Sequence, residues 1–515
     1  MIKLGIDVGG TNTDAVIMDG GKIQFSCKTA TTRDVTSGVL EALRKVCDGA
    51  GLAPGGLDAV MIGTTHFTNA LVERKGLNPV AAIRLGAPAT TGLPALTDWP
   101  ADFVALGGIT SYVTSGGYEF NGKDISPLDH GAIGAIAADI AARGIRDIAL
   151  CGVFSFMNRE QEGAVAEILA ARLPDARITL SADIGRIGLL ERENAAILNA
   201  CLGTLADKVI DALGQALAQS GISAPFYLTQ NDGTLLDAAQ ARRFPIRTVA
   251  SGPTNSMRGA AFLSGLKDAI VVDIGGTTAD VGILHGGFPR QSGVAVQVGG
   301  VRTNFRMPDV HSIGLGGGSL VGADLCDIGP ASVGYRIHTE ALVYGGATTT
   351  ATDIAVAAGL AVLGDPGRVR HLDPEGVRRC AARMQDMLHA AIERMRTSAE
   401  PLPVVVVGGG SILAGAAIKD MPVTVPEGFG VANAVGAAMA QVSGEVDRVV
   451  LLADTSREAA LAQARQEATA LALAAGAVAG SVSVLDVEET PLGYLPGNAT
   501  RIHVRVVGNL DEQDR

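Results

Sequence analysis

The chain has 515 residues with a formal net charge of −12, and 47% of them are apolar, enough for two to four domains with filled cores. Like charges never run longer than two or three residues, which argues against nucleic acid or an anionic membrane surface, since both select clustered Lys and Arg. Six cysteines at positions 27, 47, 151, 201, 326 and 380 form no Cys-x-x-Cys pair, so free thiols in a reducing compartment are expected rather than a thiolate metal site.

In chain order, residues 2–6 read as a strand that enters Asp7-Val8-Gly9-Gly10-Thr11-Asn12-Thr13-Asp14, followed by more apolar sequence. That is strand, tight Gly-Gly turn, strand. Residues 35–50 have helical periodicity, 59–63 read as a strand, and Thr64 or Thr65 can cap a helix through 69–74. Residues 132–142 and 159–173 read as helices around a buried strand at 147–154, an alternation that predicts a mixed sheet covered by helices. A long helix is expected over 190–220, its polar first turn and apolar continuation suiting a crossing between two halves. Strands follow near 226–229 and 269–272. The second of these enters Asp273-Ile274-Gly275-Gly276-Thr277-Thr278-Ala279-Asp280, a repeat of the first octapeptide 266 residues on. A helix at 351–363, a strand at 403–407 that runs into Gly408-Gly409-Gly410-Ser411, and a helix at 432–442 complete this half. From residue 447 a small unit is expected: Thr455-Ser456-Arg457-Glu458 has capping-box form ahead of an Ala-rich helix, with strands at 481–488 and 501–507. The resulting division is 1–190, 191–446 and 447–515.

The duplicated octapeptide carries the chemistry. Two glycines let a backbone fold around an anion with its N–H groups pointing at phosphate oxygens. Threonine hydroxyls add donors, and flanking aspartates can hold a hydrated divalent cation against the same phosphates. One such turn alone could be an ordinary hairpin; two matching at Asp, Gly, Gly, Thr and the final Asp imply two similar halves facing each other across a nucleotide. The strand before Gly408 would let a flat base lie against the bare glycine turn. Ser251-Gly252-Pro253-Thr254-Asn255 reads as an anion or ribose site at a helix start or as a plain loop-to-helix turn. Gly314-Leu315-Gly316-Gly317-Gly318-Ser319 reads as a ligand-approaching loop or a hinge. Asp309 and His311, two apart in an extended segment, can share a cation or can form a pair that orients that loop. Thr64, Thr65, His66 and Asn69 are polar directly after a strand and can face a substrate or merely cap a helix. No P-loop spelling occurs, and no Gly-x-Gly-x-x-Gly follows a strand. The longest uncharged stretch, 468–485, is too weakly apolar to span a bilayer, and a cleaved leader would remove the motif at residue 7; a soluble, cytoplasmic protein is expected.

The two Asp-x-Gly-Gly-Thr turns with the Gly-Gly-Gly-Ser turn resemble the superfamily of actin, hexokinase, acetate kinase and the heat-shock ATPases. Within it, the run from Ile6 to Asp14, Gly63-Thr64-Thr65, Thr68-Asn69-Ala70-Leu71, Glu73-Arg74-Lys75-Gly76, Ser251-Gly252-Pro253 and the run from Ile313 to Ser319, in that order over residues 1–445, resemble the hydantoinase A/oxoprolinase family. The resemblance implies an α/β fold: two actin/hexokinase-like (ribonuclease H-like) half-domains with mixed sheets flanking a nucleotide cleft, plus a small α+β C-terminal unit. It implies ATP-dependent opening of a cyclic amide such as a hydantoin, 5-oxoproline or a lactam, with ATP and Mg²⁺, a second separately encoded subunit and a homo-oligomer as expected partners. Gly9, Gly10, Thr11, Thr13, Gly275, Gly276, Thr277 and Thr278 would hold phosphates, and Gly408, Gly409, Gly410 and Ser411 adenosine. Asp7 and Asp273 would hold Mg²⁺, with Asp309 and His311 as a second metal site. Thr65, His66 and Asn69 would act on the acceptor. A kinase, an ATP-dependent carboxylase subunit and a non-catalytic nucleotide-switched module are the alternatives on the same fold. Where relatives often carry Glu-Arg-Thr-x-Thr, this chain has Glu191-Arg192-Glu193-Asn194-Ala195.

Overall fold

The computed structural model describes residues 1–9, 12–31, 35–185, 187–292, 296–305, 307–325 and 327–510. Both octapeptides form hairpins. Ile2–Val8 pairs antiparallel with Asn12–Asp19, and Ala269–Ile274 pairs antiparallel with Ala279–His285. Their apolar residues are buried on both faces: Leu4, Ile6, Val16 and Ile17 in the first, Ile270, Val271, Val272 and Val281 in the second. Such continuously apolar runs are what a sheet covered on both sides requires.

Each hairpin seeds a sheet of the same design. Beside Ile2–Val8 lies the parallel strand Ala59–Thr64, then Phe226–Thr229, also parallel. Beside Ala269–Ile274 lies the parallel strand Val404–Val407, then Met421–Thr424. A parallel neighbour demands a crossover, and a helix supplies it each time. Val35–Ala50 serves the first sheet and Pro374–Met395 the second. The latter starts with Pro at its first turn under the Asp373 cap and buries Val377, Cys380, Met384, Leu388 and Ile392 at helical spacing. The expected pair of half-domains with mixed sheets is what the topology shows.

Three expectations need correction. The region 1–190 holds two sheets, because Ile109–Ser115, Val80–Ala87, Asp147–Gly152 and Arg177–Leu180 form a separate all-parallel sheet. The single helix expected over 190–220 is two helices, Leu189–Cys201 and Gly203–Gln219. The chain breaks where it must pass close to a charged pair: a Cβ on Gly203 would lie 2.7 Å from Asp147 Oδ1 and 2.8 Å from Arg177 Cζ. The division at 190/191 also differs from the sheets, since Phe226–Thr229 and Leu235–Asp237 lie in the first one. The crossing between halves is made instead by helix Ser251–Ser264, packed on helix Ala432–Ala438. These two helices touch backbone to backbone, since a Cβ on Gly436 would meet Asn255 O at 1.8 Å and one on Gly259 would meet Ala432 O at 1.9 Å.

Helix Ala432–Ala438 stops short of the expected 442, and strand Val442–Leu451 opens the C-terminal unit. Its sheet runs Val442–Leu451, Ala499–Gly508, Ser483–Pro491, all antiparallel. Helix Arg457–Ala474 covers one face with Ala460, Ala464, Ala468 and Ala472, every fourth residue. Ser456, not Thr455, caps it by accepting from Ala459 N. No helix among the described residues is long and apolar enough to cross a membrane.

Candidate functional site

The ends of the two hairpins face one cavity of about 430 Å³ between the two large sheets. Asp7, Gly9, Asn12 and Asp14 come from one hairpin, and Asp273, Gly275, Gly276, Thr277, Thr278 and Asp280 from the other. The loops are closed alike: Gly9 N donates to Asn12 O at 3.0 Å, and Gly275 N to Thr278 O at 2.9 Å. Register places Asp7 opposite Asp14 and Asp273 opposite Asp280. The seven-residue spacing within each motif therefore sets two carboxylates side by side on one face, an arrangement that destabilises a sheet unless a cation answers it.

Burial intensifies the conflict. Burial, then the charge of Asp14, pushes the Asp7 carboxyl up to about 6, although the Nδ2 groups of Asn255 and Asn433 donate to it at 3.2 and 3.3 Å. Asp280 is pushed up to about 6, again first by burial. Asp14 and Asp273 are raised by burial too. Lys28, opposite Asp14 in the third strand, opposes the rise at Asp14 from 2.7 Å and is the cation among these cavity-lining side chains. The Ser256 hydroxyl donates at 2.9 Å to Oδ1 of Asn433, whose Nδ2 in turn donates to Asp7, and Ser256 also opposes the rise at Asp273, so the crossing helices stand between the two aspartate sites. Four carboxylates answered by the single ammonium of Lys28 leave an all-oxygen, net negative set that fits a hard divalent cation such as Mg²⁺. Among the described residues no three of these carboxylates bring one oxygen each within 4.8 Å of one another.

The duplication extends to a feature the sequence reading missed. A Cβ on Gly63 would lie 2.3 Å from Asp7 Oδ1, and one on Gly408 would lie 2.3 Å from Asp273 Oδ1. Gly63 is the last residue but one of the parallel strand Ala59–Thr64 and Gly408 follows the parallel strand Val404–Val407, so at the end of each strand a glycine leaves room for an aspartate. Gly408 also has φ +87, a conformation costly for other residues. Beyond it, Gly409 and Gly410 line the cavity, and a Cβ on Gly409 would meet no protein atom. The same cavity is lined by Ile337, His338, Tyr344, Leu363 and Ile412, with the His338 and Tyr344 rings 4.8 Å apart. Flat aromatic ligands fit such walls.

The remaining expected residues divide. Thr65 lines the cavity beside Gly252 and Pro253, which sit in the first turn of helix Ser251–Ser264. His66 lies behind Thr64, its Nδ1 2.6 Å from Thr64 Oγ1, with its basicity lowered by burial, and is not on the cavity wall. Asn69 is exposed on the helix His66–Glu73. Thr13 is wholly buried, its hydroxyl 3.2 Å from that of Thr31, because strand alternation turns it away from the face that carries Asp14. Ser411 lies behind the glycine turn, its amide donating to Gly408 O at 3.1 Å, and is absent from the cavity wall. Gly10 and Thr11 lie outside the described residues. The glycine loop after Ile313 is a strap under the second hairpin: Gly317 N and Gly318 N donate to Gly275 O and Gly276 O at 3.0 and 2.7 Å. Asp309 and His311 do not reach the cavity. Arg290 grips Asp309 Oδ2 from 2.6 Å, and burial together with Arg394 lowers the basicity of His311, so cations already face both groups and the second-metal reading falls away. Of the residues missed, Asp14 and Asp280 were signalled as the last matching positions of the repeat. Asn255 was signalled only as the end of the run from Ser251, without its role beside Asp7; Lys28, Asn433, His338 and Tyr344 had no signal in a single sequence.

Residues 3–173 match the family model described as hydantoinase/oxoprolinase N-terminal region, and residues 192–399 match that described as hydantoinase/oxoprolinase. The caprolactamase subunit alpha of Pseudomonas jessenii is 26% identical over 382 residues, covering 69% of this chain and 54% of its own length. The acetophenone carboxylase gamma subunit of Aromatoleum aromaticum is 27% identical over 395 residues, covering 69% and 53%. The chain thus spans about half the length of the curated relatives it matches. Among solved structures, the ATP-dependent caprolactamase from Pseudomonas jessenii superposes with a TM-score of 0.78 at 20% identity, covering 99% of this chain and 88% of that one. Nucleotide-free acetone carboxylase gives 0.71 at 18% identity, with the same coverage. These two share the fold.

Proposed function

Because the chain belongs to the hydantoinase/oxoprolinase family, we propose that its cavity binds ATP and transfers the γ-phosphoryl group to the carbonyl oxygen of a cyclic amide, preparing the ring for hydrolysis. The observation that carries this reading is the pair of matched hairpins presenting Asp7 and Asp273 to one cavity. An unstrained lactam carbonyl is a poor electrophile. Moving the phosphoryl group onto its oxygen breaks the bond to the ADP oxygen and forms a new P–O bond. One water then adds at carbon and the C–N bond opens, the amine taking up a proton and leaving an acyl phosphate. A second water hydrolyses that acyl phosphate to the carboxylate and free phosphate.

The chain's part in this is positioning and charge control, as in phosphoryl transfer generally. In this reading Gly9, Gly275, Gly276, Thr277 and Thr278 approach the phosphates, and the adenine lies between Gly409, Gly410 and the His338–Tyr344 wall. Asp7, Asp14, Asp273 and Asp280 would hold Mg²⁺, and the bound ion would supply neutralisation of charge on the transferring phosphate. Thr65, beside Gly252 and Pro253, faces the acceptor.

The second reading is an ATP-dependent carboxylase subunit, favoured by the acetophenone and acetone carboxylase relatives. There the phosphoryl acceptor would be a ketone enolate or bicarbonate. A kinase or a nucleotide switch draws no comparable support. The matched relatives are named as alpha, gamma and beta subunits, so a second subunit is part of the proposal in either reading. Phosphate release is measured with hydantoins, 5-oxoproline and lactams, and with ketones plus bicarbonate, in the presence and absence of a co-purified second subunit. Stimulation by a ring amide supports the first reading. Stimulation only by ketone with bicarbonate replaces it by the second.

A further inference from the structure

The C-terminal sheet has two unlike faces. Ile502, Val504 and Val506 lie in the hydrophobic cluster beneath the helix, whereas His503 and Arg505 alternate onto the opposite face, against the second half. On that face His503 is wholly buried, and Glu488 is its partner across the sheet. Its Nε2 lies 2.8 Å from Glu445 Oε1, and its Nδ1 lies 3.8 Å from Asp486 Oδ2. One donor atom each from Asp486, Glu488 and His503 falls within 4.8 Å of the others, the only such grouping of three His, Cys, Asp or Glu side chains among the described residues.

We propose that Asp486, Glu488 and His503 bind a divalent transition-metal ion of the zinc class through His503 Nδ1 and two carboxylates. A carboxylate on the far nitrogen of a ligating imidazole is the arrangement that fixes the tautomer and raises ligand basicity, and Glu445 occupies that place. Donors around one tetrahedral ion stand about 3.3 Å apart, given metal–ligand bonds near 2.0 Å. The present spacing closes to that by side-chain rotation of Asp486 and Glu488, which are half-buried and exposed, while buried His503 stays fixed.

A second observation points to a ligand at the same place. Asp486 and Glu488 line a cavity of about 450 Å³ between this sheet and the edge of the second one, with Phe288, Leu402 and Leu485 as apolar wall. Arg505, 2% exposed, lines it too; its Nη1 donates to Asp232 Oδ2 at 3.4 Å, while its Nε donates to no acceptor among the described residues. An ion held by three protein donors keeps an open position, and here that position faces a cavity with a buried cationic group on its wall. The site is separate from the hairpin cleft and does not depend on the ATP reading.

The test uses Co²⁺ as probe on the full chain stripped with EDTA, with excess Mg²⁺ present to occupy the hairpin cleft. One Co²⁺ per chain with the intense visible bands of a four-coordinate nitrogen–oxygen site, displaced by Zn²⁺, is expected. The double variant Asp486→Asn, Glu488→Gln should weaken that binding at least 10-fold while ATP turnover stays at the wild-type level. His503→Gln should abolish the bands; the double variant, altered at side chains outside the core, keeps the test open if His503→Gln fails to fold. Absence of the bands in wild type, as expected if His503 is a protonated bridge between Glu445 and Asp486, would overturn the proposal. So would bands that survive in the double variant.

Discussion

At the scale of single residues, the cavity is governed by carboxylates that the fold holds against their own preference. The Asp7 carboxyl ordinarily loses its proton near 3.8, but in the folded cavity it does so at about 6. Between those values the folded chain binds more protons than the unfolded one, so this group lowers stability as pH rises through that window, and the full penalty stands above it. Asp7→Asn is therefore expected to stabilise the cation-free protein at pH 7.5 by on the order of 1 to 3 kcal/mol, with the gain shrinking toward pH 4. Denaturant melts at the two pH values check this; an equal gain at both would show that the charge is not responsible. The same substitution should abolish ATP turnover. Gly63→Ala tests the seat rather than the charge. Its Cβ would press on Asp7 Oδ1 and Asn255 Nδ2, at 2.3 and 2.4 Å, so turnover should fall at least about 10-fold while the circular dichroism spectrum stays near wild type. Unchanged turnover would mean that the position of Asp7 is not critical.

At the scale of elements, the two hairpins were legible because repetition is a strong signal even in one sequence. Their register, and with it the pairing of Asp7 with Asp14 and Asp273 with Asp280, followed from the same spacing. The two helices that cross were read from the sequence, but that they cross was not legible. Residues 190–220 have a helix-like pattern throughout, and only the close approach of Gly203 to Asp147 and Arg177 breaks it, a tertiary fact. Helix Ala432–Ala438 carries Asn433 to the cavity from the far end of the chain, and no spacing rule joins it to Asp7. The glycine loop after Ile313 was ambiguous for a related reason: glycines that admit a ligand and glycines that admit another backbone are spelled alike, and here Gly317 lines the cavity while it and Gly318 bond the second hairpin. Gly436→Ala probes the crossing. A Cβ there collides with Asn255 O, so the helices must separate, at a cost of about 3 kcal/mol in stability. Asn255 and Asn433 then shift together, and ATP affinity should fall with it. A destabilised variant with wild-type ATP affinity would dissociate the crossing from the site.

At the scale of the whole molecule, two halves of one design close on a shared cavity, and only a ligand that touches both has reason to hold them in one relation. Mg²⁺ with ATP at 100 times its dissociation constant should stabilise the fold by about 2.7 kcal/mol. That stabilisation should weaken as pH falls through about 6, where Asp7 and Asp280 take up protons and compete with the cation. Thermal melts across pH, with and without the nucleotide, measure it; stabilisation independent of pH would remove the carboxylates from cation binding. The most direct measurement is a crystal structure with Mn²⁺ and a non-hydrolysable ATP analogue, located by anomalous scattering from the metal. One nucleotide should lie with its phosphates against both hairpin turns, beside Gly9 and beside Gly276, and the metal peak should fall between Asp7 and Asp273. A nucleotide bound to one hairpin alone, or a metal remote from both aspartates, would contradict the account.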